Sequence, residues 1–231
     1  MNKIEKHYNN YYKTKSLSHR ILANRDVAER LQKSCSQYKI SKIIDIGAGT
    51  GNLLKEIEKI KLGSEYHAVE INQKSVDLIK KLRIKKLFRA FKFNGYKLPY
   101  KNNYFDLAIL SHVVEHVEEP RKLINEALRI SKLVYIEVPL EDNLKLGNNF
   151  TKTDIGHINF YNQKTIRHLA QTCNAKIISG HISDWSFEYG SHIKGAKNFI
   201  IHPIKFLMMK FFPNIAPKIL GFNYSMICKK I

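Results

Sequence analysis

Short apolar runs rich in β-branched residues alternate along the chain with segments of helical period. The runs predict strands at 42–46, 66–71, 87–93, 104–110, 133–138, 175–182 and 222–229. The helical segments between them lie at 52–57, 73–82, 120–130 and 163–173. Because strands that alternate with helices form βαβ crossovers, this order predicts a doubly wound α/β fold whose mostly parallel sheet is covered on both faces.

We expect a single domain, 1–231, with further parts around this core. Residues 1–40 are polar and basic, and apolar positions from Ile21 to Leu31 recur at helical spacing, which predicts a helical lead-in. The core covers 41–184, an insertion covers 185–221, and the last strand covers 222–231. The insertion is aromatic, basic and irregular in pattern, which suits a lid or a substrate-specific element.

The composition is that of a chain with a folded core, since 44% of residues are hydrophobic and 26% are charged. These values exclude wholesale disorder and a small disulfide scaffold. The net charge of +19 would suit nucleic acid, but 31 of the 39 basic residues are Lys and only eight are Arg. The lysines are spread along the whole chain, so a solvated basic surface is favoured over a nucleic-acid groove.

The cysteines and the N-terminal sequence predict a cytoplasmic protein. Cys35, Cys173 and Cys228 are far apart and form no C-x-x-C pair, which indicates reduced thiols rather than a disulfide framework or a zinc site. The N-terminus has no apolar signal region, and no stretch reaches the roughly eighteen apolar residues of a membrane span.

The sharpest motif is the glycine turn D-I-G-A-G-T-G at 45–51, between the first strand and the first helix. Glycines permit a tight turn and a close ligand approach, and the helix N-terminus adds N–H donors. The dinucleotide fingerprint requires glycine where this chain has Asn52. The carboxylate of Asp45 would repel pyrophosphate but suits a ligand with an ammonium and a sulfonium. Glu70 ends the second strand, where a carboxylate accepts hydrogen bonds from ribose hydroxyls.

This turn and the strand-terminal acid together resemble those of the class I S-adenosylmethionine-dependent methyltransferases. Downstream, L-P-Y-K-N-N-Y-F-D at 98–106 and S-H-V-V-E-H-V at 111–117 are similar to segments of the type 11 small-molecule methyltransferases. G-H-I-N-F-Y at 156–161 resembles a stretch of bacterial methyltransferases that act on sugars and other small molecules. The resemblance covers about 43–182 and implies a Rossmann-like seven-stranded fold.

The resemblance also implies S-adenosyl-L-methionine as cofactor and a set of residues that bind it. The methionine part would be held by Asp45, Gly47, Gly49 and Gly51. Glu70 would hold the ribose, and Asn94 stands where the family often has an acid for the adenine amine, which an amide oxygen also accepts. Ser111 and His112 would flank the cofactor just past the fourth strand.

A hydroxyl acceptor calls for a base, and the titratable candidates are Glu115 and the three histidines His112, His116 and His157. With Glu115 they are also similar to the Glu-x-x-Glu-His plus His pattern of some metal-binding methyltransferases. His112 replaces the first acid of that pattern, so we expect no metal. The favoured alternative is that Glu115 and His116 order a loop over the cofactor.

The resemblance therefore predicts an enzyme that methylates a small-molecule or glycan acceptor, with O-methylation preferred to N-methylation. Nucleobase amino-methylation needs an Asp/Asn-Pro-Pro-aromatic clamp, but Ser-His-Val-Val stands at 111–114. Alternatives are an RNA methyltransferase, and a regulatory or scaffold protein that binds the cofactor without turnover.

Two aromatic segments leave alternatives open. The segment 199–212 is apolar with periodic cations. It is either a helix packed on the sheet or on a second subunit, or a peripheral element that contacts a lipid-linked acceptor at a membrane face. The tyrosines near the N-terminus either close over the cofactor or pack locally, and they are Tyr8, Tyr11 and Tyr12. Monomer and homodimer are both compatible with these patterns.

Overall fold

One seven-stranded sheet organises the described residues, 17–144, 146 and 156–231, in the computed structural model of the chain. Its strands are β1 Lys42–Ile46, β2 Glu65–Glu70, β3 Leu87–Lys92, β4 Phe105–Ser111, β5 Ser131–Leu140, β6 Ala175–Ser183 and β7 Phe222–Lys230. Their order is β3-β2-β1-β4-β5-β7-β6, and β7 runs antiparallel to both of its neighbours. The predicted doubly wound, mostly parallel α/β fold is confirmed.

Helices cover both faces of the sheet. They are α1 Leu17–Cys35, α2 Asn52–Lys59, α3 Gln73–Lys81, α4 Pro120–Ile130, α5 Gln163–Gln171, α6 Phe187–Lys194, α7 Asn198–Phe211 and α8 Ala216–Ile219. Local chemistry sets several of their starts: the Asn72 side chain accepts from the N–H of Lys74, and Asn162 forms a capping box with Thr165. None of the described helices is long and apolar enough to cross a membrane.

The core consists of two buried clusters, one on each face of the sheet. Neighbouring residues of β1 divide between them: Ile44 and Ile46 belong to one cluster, and Ile43 belongs to the other. This division follows from the alternation of side chains along a strand. Both faces of β1 are therefore buried, which is typical of a central parallel strand.

The fifth strand is longer than the predicted 133–138, because the pairing of β5 with β7 continues through Pro139 to Leu140, opposite Phe222. The insertion, which is irregular in its sequence pattern, contains the helices α6, α7 and α8, and α7 is the helix that was one alternative for 199–212. The tyrosines at positions 8, 11 and 12 and the start of the lead-in lie outside the described residues, and so do 145 and 147–155, between the predicted fifth strand and the helix predicted at 163–173.

Candidate functional site

A cavity of about 640 Å³ opens at the carboxyl ends of the central strands. β2 lies on one side of β1 and β4 on the other, so the chain order reverses at β1 and leaves a crevice there. The glycine turn, the ends of β2 and β4, and α1 and α6 all contribute to the cavity wall. The lining includes these predicted site residues: Asp45, Gly47, Gly49, Glu70, Asn94, Ser111, His112, His116 and His157.

The main chain of the glycine turn lines the cavity. At Gly47 the surrounding atoms leave no room for a side chain. Gly47 has φ +79°, and a Cβ there would lie 2.6 Å from Cγ2 of Val113. Gly51 has φ +81°, and a Cβ there would lie 3.1 Å from Ile79 of α3, so glycine also permits the close packing of α2 on α3. Its predicted contact with the cofactor stays a prediction.

Two buried carboxylates face the cavity at the ends of β1 and β2. Asp45 is 2% exposed, and its Oδ2 has no hydrogen-bond partner. Burial and the nearby carboxylate of Glu70 raise the pKa of Asp45 to about 7. Burial also raises the pKa of Glu70 to about 7, although its carboxylate accepts a 3.0 Å hydrogen bond from the N–H of Ile71. A cationic ligand in the cavity would stabilise the ionised forms of both carboxylates, Asp45 and Glu70.

Asn94 lies beside these carboxylates, in the loop after β3. Its Oδ1 accepts hydrogen bonds of 3.1 Å from the N–H groups of Tyr96 and Lys97. The amide oxygen therefore closes a local turn, and an adenine amine would share that oxygen with two backbone donors. Ser111, the last residue of β4, forms the facing wall.

His112 is held between two buried carboxylates. Its Nδ1 lies 3.3 Å from Oε1 of Glu115, and its Nε2 lies 3.4 Å from Oε1 of Glu137. Burial opposes protonation, but the carboxylates outweigh it and raise the pKa of His112 to about 9. The ring also stacks on Trp185, with centroids 5.6 Å apart. His112 is therefore a fixed cation near neutral pH.

Glu137 joins His112 to the lead-in helix. Arg30 of α1 donates from Nη2 to Oε1 of Glu137 at 2.6 Å, and the Tyr135 hydroxyl donates to Oε2 of the same carboxylate. Burial alone would raise the pKa of Glu137, but Arg30 and His112 lower it to about 2. Arg30 also lies over the Trp185 ring, 4.9 Å from its centroid. These contacts lock α1 and the insertion to the end of β5.

His116 and His157 meet at another part of the cavity wall. Their ring centroids are 4.6 Å apart. Nδ1 of His116 lies 3.1 Å from the carbonyl oxygen of Gly156, and Nδ1 of His157 lies 2.5 Å from Oε2 of Glu141. Glu115, His116 and His157 each offer one ligand atom, and these atoms lie within 4.8 Å of one another. The same side chains that order this loop thus form a donor set that suits a divalent transition metal.

Several residues of the site were missed by the sequence analysis. Trp185 and Tyr189 of the insertion and His19 of α1 line the cavity, and the Tyr189 hydroxyl lies 3.1 Å from Nε2 of His19. The insertion is therefore part of the wall. The sequence could have indicated Glu137 as a site residue, since it is the only charged residue in an apolar strand run. It could not have indicated Arg30, because a basic residue on a basic helix does not stand out.

The comparisons with known proteins agree with this geometry. A family model described as a methyltransferase domain matches residues 7–179, so the chain belongs to that methyltransferase family. It is 34% identical over 89 residues to the uncharacterized protein MJ1123 of Methanocaldococcus jannaschii, covering 38% of each chain. It is 28% identical over 120 residues to the uncharacterized methyltransferase C1B3.06c of Schizosaccharomyces pombe, covering 46% of this chain and 43% of that one. Each match thus spans less than half of the curated relative.

Solved structures share the fold at low sequence identity. A geranyl diphosphate C-methyltransferase from Streptomyces coelicolor, in complex with S-adenosylhomocysteine, has a TM-score of 0.64 at 14% identity, covering 89% of this chain and 78% of its own. A phosphoethanolamine N-methyltransferase from Haemonchus contortus, also in complex with S-adenosylhomocysteine, has a TM-score of 0.64 at 15% identity, and the match covers 90% of this chain and 52% of that one. The chain therefore has the class I methyltransferase fold that these structures share.

Proposed function

We propose that this methyltransferase acts on a hydroxyl of a small-molecule or glycan acceptor. The observation that carries the proposal is the pair of His157 and Glu141 at the cavity. With Nδ1 of His157 bonded to a carboxylate, the imidazole is oriented and its Nε2 has the character of a base. A hydroxyl has a high pKa and benefits from such a base, whereas an amine is nucleophilic without one.

The cofactor fits the residues of the cavity. The unpartnered, buried Oδ2 of Asp45 is the acceptor that an ammonium group requires, and a Cβ at Gly47 would clash with the side chain of Val113, which also lines the cavity. We assign Asp45, Gly47 and Gly49 to the methionine part and Glu70 to the ribose. Asn94 and Ser111 would line the remainder of the cofactor site. When bound, S-adenosylmethionine supplies an electrophilic methyl group on its sulfonium.

The protein then contributes position, exclusion of water and a proton acceptor. Trp185 and Tyr189 cover one side of the cavity, which limits the access of water. Both ring nitrogens of His112 face carboxylates, so this histidine serves as a cation that orders the wall. Of the three predicted catalytic histidines, His157 is the one we assign to proton removal, and His116 packs edge to face against it.

The test of this assignment measures turnover and cofactor affinity separately. His157→Gln should lower the release of S-adenosylhomocysteine by about a hundredfold or more with hydroxyl acceptors, while cofactor affinity by calorimetry changes little. His168→Gln, at an exposed position on α5, is the matched control and should leave both quantities unchanged. Equal losses of turnover and affinity, or turnover only with amines or RNA, would overturn the proposal.

The cofactor assignment has its own test. Gly49→Arg and Glu70→Ala should weaken the binding of S-adenosylhomocysteine while circular dichroism still shows a folded α/β protein. Gly49 lies at the cavity, where a large cation would fill the site of a cationic ligand. Unchanged affinity in both variants would count against the site.

A further inference from the structure

The outward face of α7 is apolar. Ile200, Ile204, Leu207 and Phe211 recur at the spacing of one helix face, and they are 67%, 50%, 50% and 63% exposed. A second row beside it contains Phe199 and Phe206, which are 69% and 63% exposed, together with Pro203 and Lys210. Exposed apolar rows of this size mark interaction sites rather than ordinary surface.

The inward face of the same helix holds its polar groups. Nζ of Lys205 pairs with Asp184 and donates to the carbonyl oxygen of Gly221 at 2.5 Å, and the Lys205 residue is only 6% exposed. Asn198 is 1% exposed, and its Nδ2 donates to the carbonyl oxygen of Phe187 at 2.9 Å. Met208 and Met209 of the same helix pack against the core, so α7 is apolar on both its inward and its outward side.

The apolar surface continues beyond the helix. Phe212, Ile215 and Ile219 are 52%, 47% and 38% exposed. We call the exposed apolar side chains of α7 and the residues that follow it the insertion face; its members are Phe199, Ile200, Ile204, Phe206, Leu207, Phe211, Phe212, Ile215 and Ile219. A continuous apolar face in water is unfavourable, so a cover that removes it from water would be stabilising.

The charged side chains of the segment that carries the insertion face are all basic. Lys194, Lys197, Lys210 and Lys218 are all exposed in this segment. No Asp or Glu occurs between Tyr189 and Ile231, and the nearest acid along the chain is Glu188 of α6. A large apolar face whose own segment carries lysines and no carboxylate is complementary to a surface that is apolar inside and anionic at its headgroups.

We propose that the insertion face docks on the surface of an anionic lipid bilayer, with its apolar side chains among the acyl chains and its lysines at the headgroups. A second copy of this chain is a poorer cover, because a face-to-face dimer would set lysine rims against each other with no carboxylate of this segment between them. The helix would lie on the bilayer, consistent with the finding that no described helix could span it.

Docking would also orient the cavity. Trp185 and Tyr189, which lie at the start of the insertion, line the cavity wall. The cavity would then lie close to the bilayer surface, within reach of an acceptor held there by a lipid anchor. This consequence for the acceptor rests on the proposed function, whereas the docking itself does not.

The experiment is sedimentation of the full chain with vesicles, in the absence of cofactor and acceptor. We expect at least tenfold stronger binding to phosphatidylcholine vesicles containing about a quarter phosphatidylglycerol than to phosphatidylcholine alone, and weaker binding at high salt. The double variant L207E/F211E should lose at least tenfold in binding. Lys197→Gln and Lys210→Gln should each weaken it about fivefold.

A matched control and an independent measurement keep the result interpretable. Phe88 on the edge strand β3 is 70% exposed, and Phe88→Glu should leave vesicle binding unchanged. All variants should retain the wild-type circular dichroism. Equal binding to both vesicle types, or equal loss in Phe88→Glu and L207E/F211E, would overturn the proposal. So would light scattering that shows a dimer dissociated by L207E/F211E without any vesicle binding. A failed methylation assay would leave these readouts untouched.

Discussion

Asp45→Asn tests the electrostatics of the candidate cofactor site most directly. The wild-type carboxyl is 2% exposed, and its pKa is raised from 3.8 to about 7 by burial and by Glu70. At pH 8 the native protein holds this group ionised, which costs about 4 kcal/mol relative to the unfolded chain. At pH 5 the native carboxyl is protonated, and the cost falls to about 1–2 kcal/mol.

The direction of the pH effect follows from the raised pKa. The stability associated with Asp45 is fully present below its unfolded pKa near 4 and is lost as the pH rises through about 7. Asp45→Asn removes this dependence. The unfolding free energy of the variant minus that of the wild type should therefore rise by about 3 kcal/mol from pH 5 to pH 8. Urea unfolding without cofactor, at a series of pH values, measures this difference.

The same substitution should weaken cofactor binding about ten- to a hundredfold, because a hydrogen bond to a charged group contributes about 1.5–3 kcal/mol. Asp106→Asn is the matched control on β4. Burial opposes ionisation there too, but hydrogen bonds from Lys132 and from backbone N–H groups lower the pKa of Asp106. This control should lose stability at neutral pH, and the loss should fade in acid. An Asp45→Asn protein that follows the wild-type pH curve with unchanged affinity would refute the reasoning.

Two other substitutions probe the walls of the cavity. Glu137→Gln leaves Arg30 without its buried carboxylate and should lower the unfolding free energy by about 3–5 kcal/mol, whereas Glu188→Gln, which breaks an exposed ion pair, should cost less than about 1 kcal/mol by urea unfolding. Similar losses of unfolding free energy in Glu137→Gln and Glu188→Gln would show that the buried ion pair of Arg30 and Glu137 is not formed. Gly47→Ala places a Cβ 2.6 Å from Val113 at a positive φ and should lower the melting temperature and cofactor affinity. Adding Val113→Ala should restore part of the stability, and no recovery would exclude the clash.

The strands and the glycine turn could be predicted because their causes are local. A buried strand such as 42–46 needs consecutive apolar residues, and a tight turn needs glycine within a few positions. Asp45 and Glu70 follow from the same pattern, since both stand at strand ends that a parallel sheet brings to one edge. The insertion has an irregular pattern because α7 is apolar on its outward side as well as at Met208 and Met209, which pack against the core, so no single apolar stripe marks the helix.

The sequence alone determined the fold class, the glycine turn and the carboxylates near it, because hydrophobic period and glycine placement act over a few neighbouring positions. Only the tertiary structure joined Arg30, His112, Glu137 and Trp185 into one charged and aromatic wall. It also left large apolar side chains of α7 exposed while Lys205 was buried. The crossover connections of the fold bring together residues as far apart in the chain as Arg30 and Glu137. A local sequence pattern does not contain the information on which of these charged residues form an ion pair.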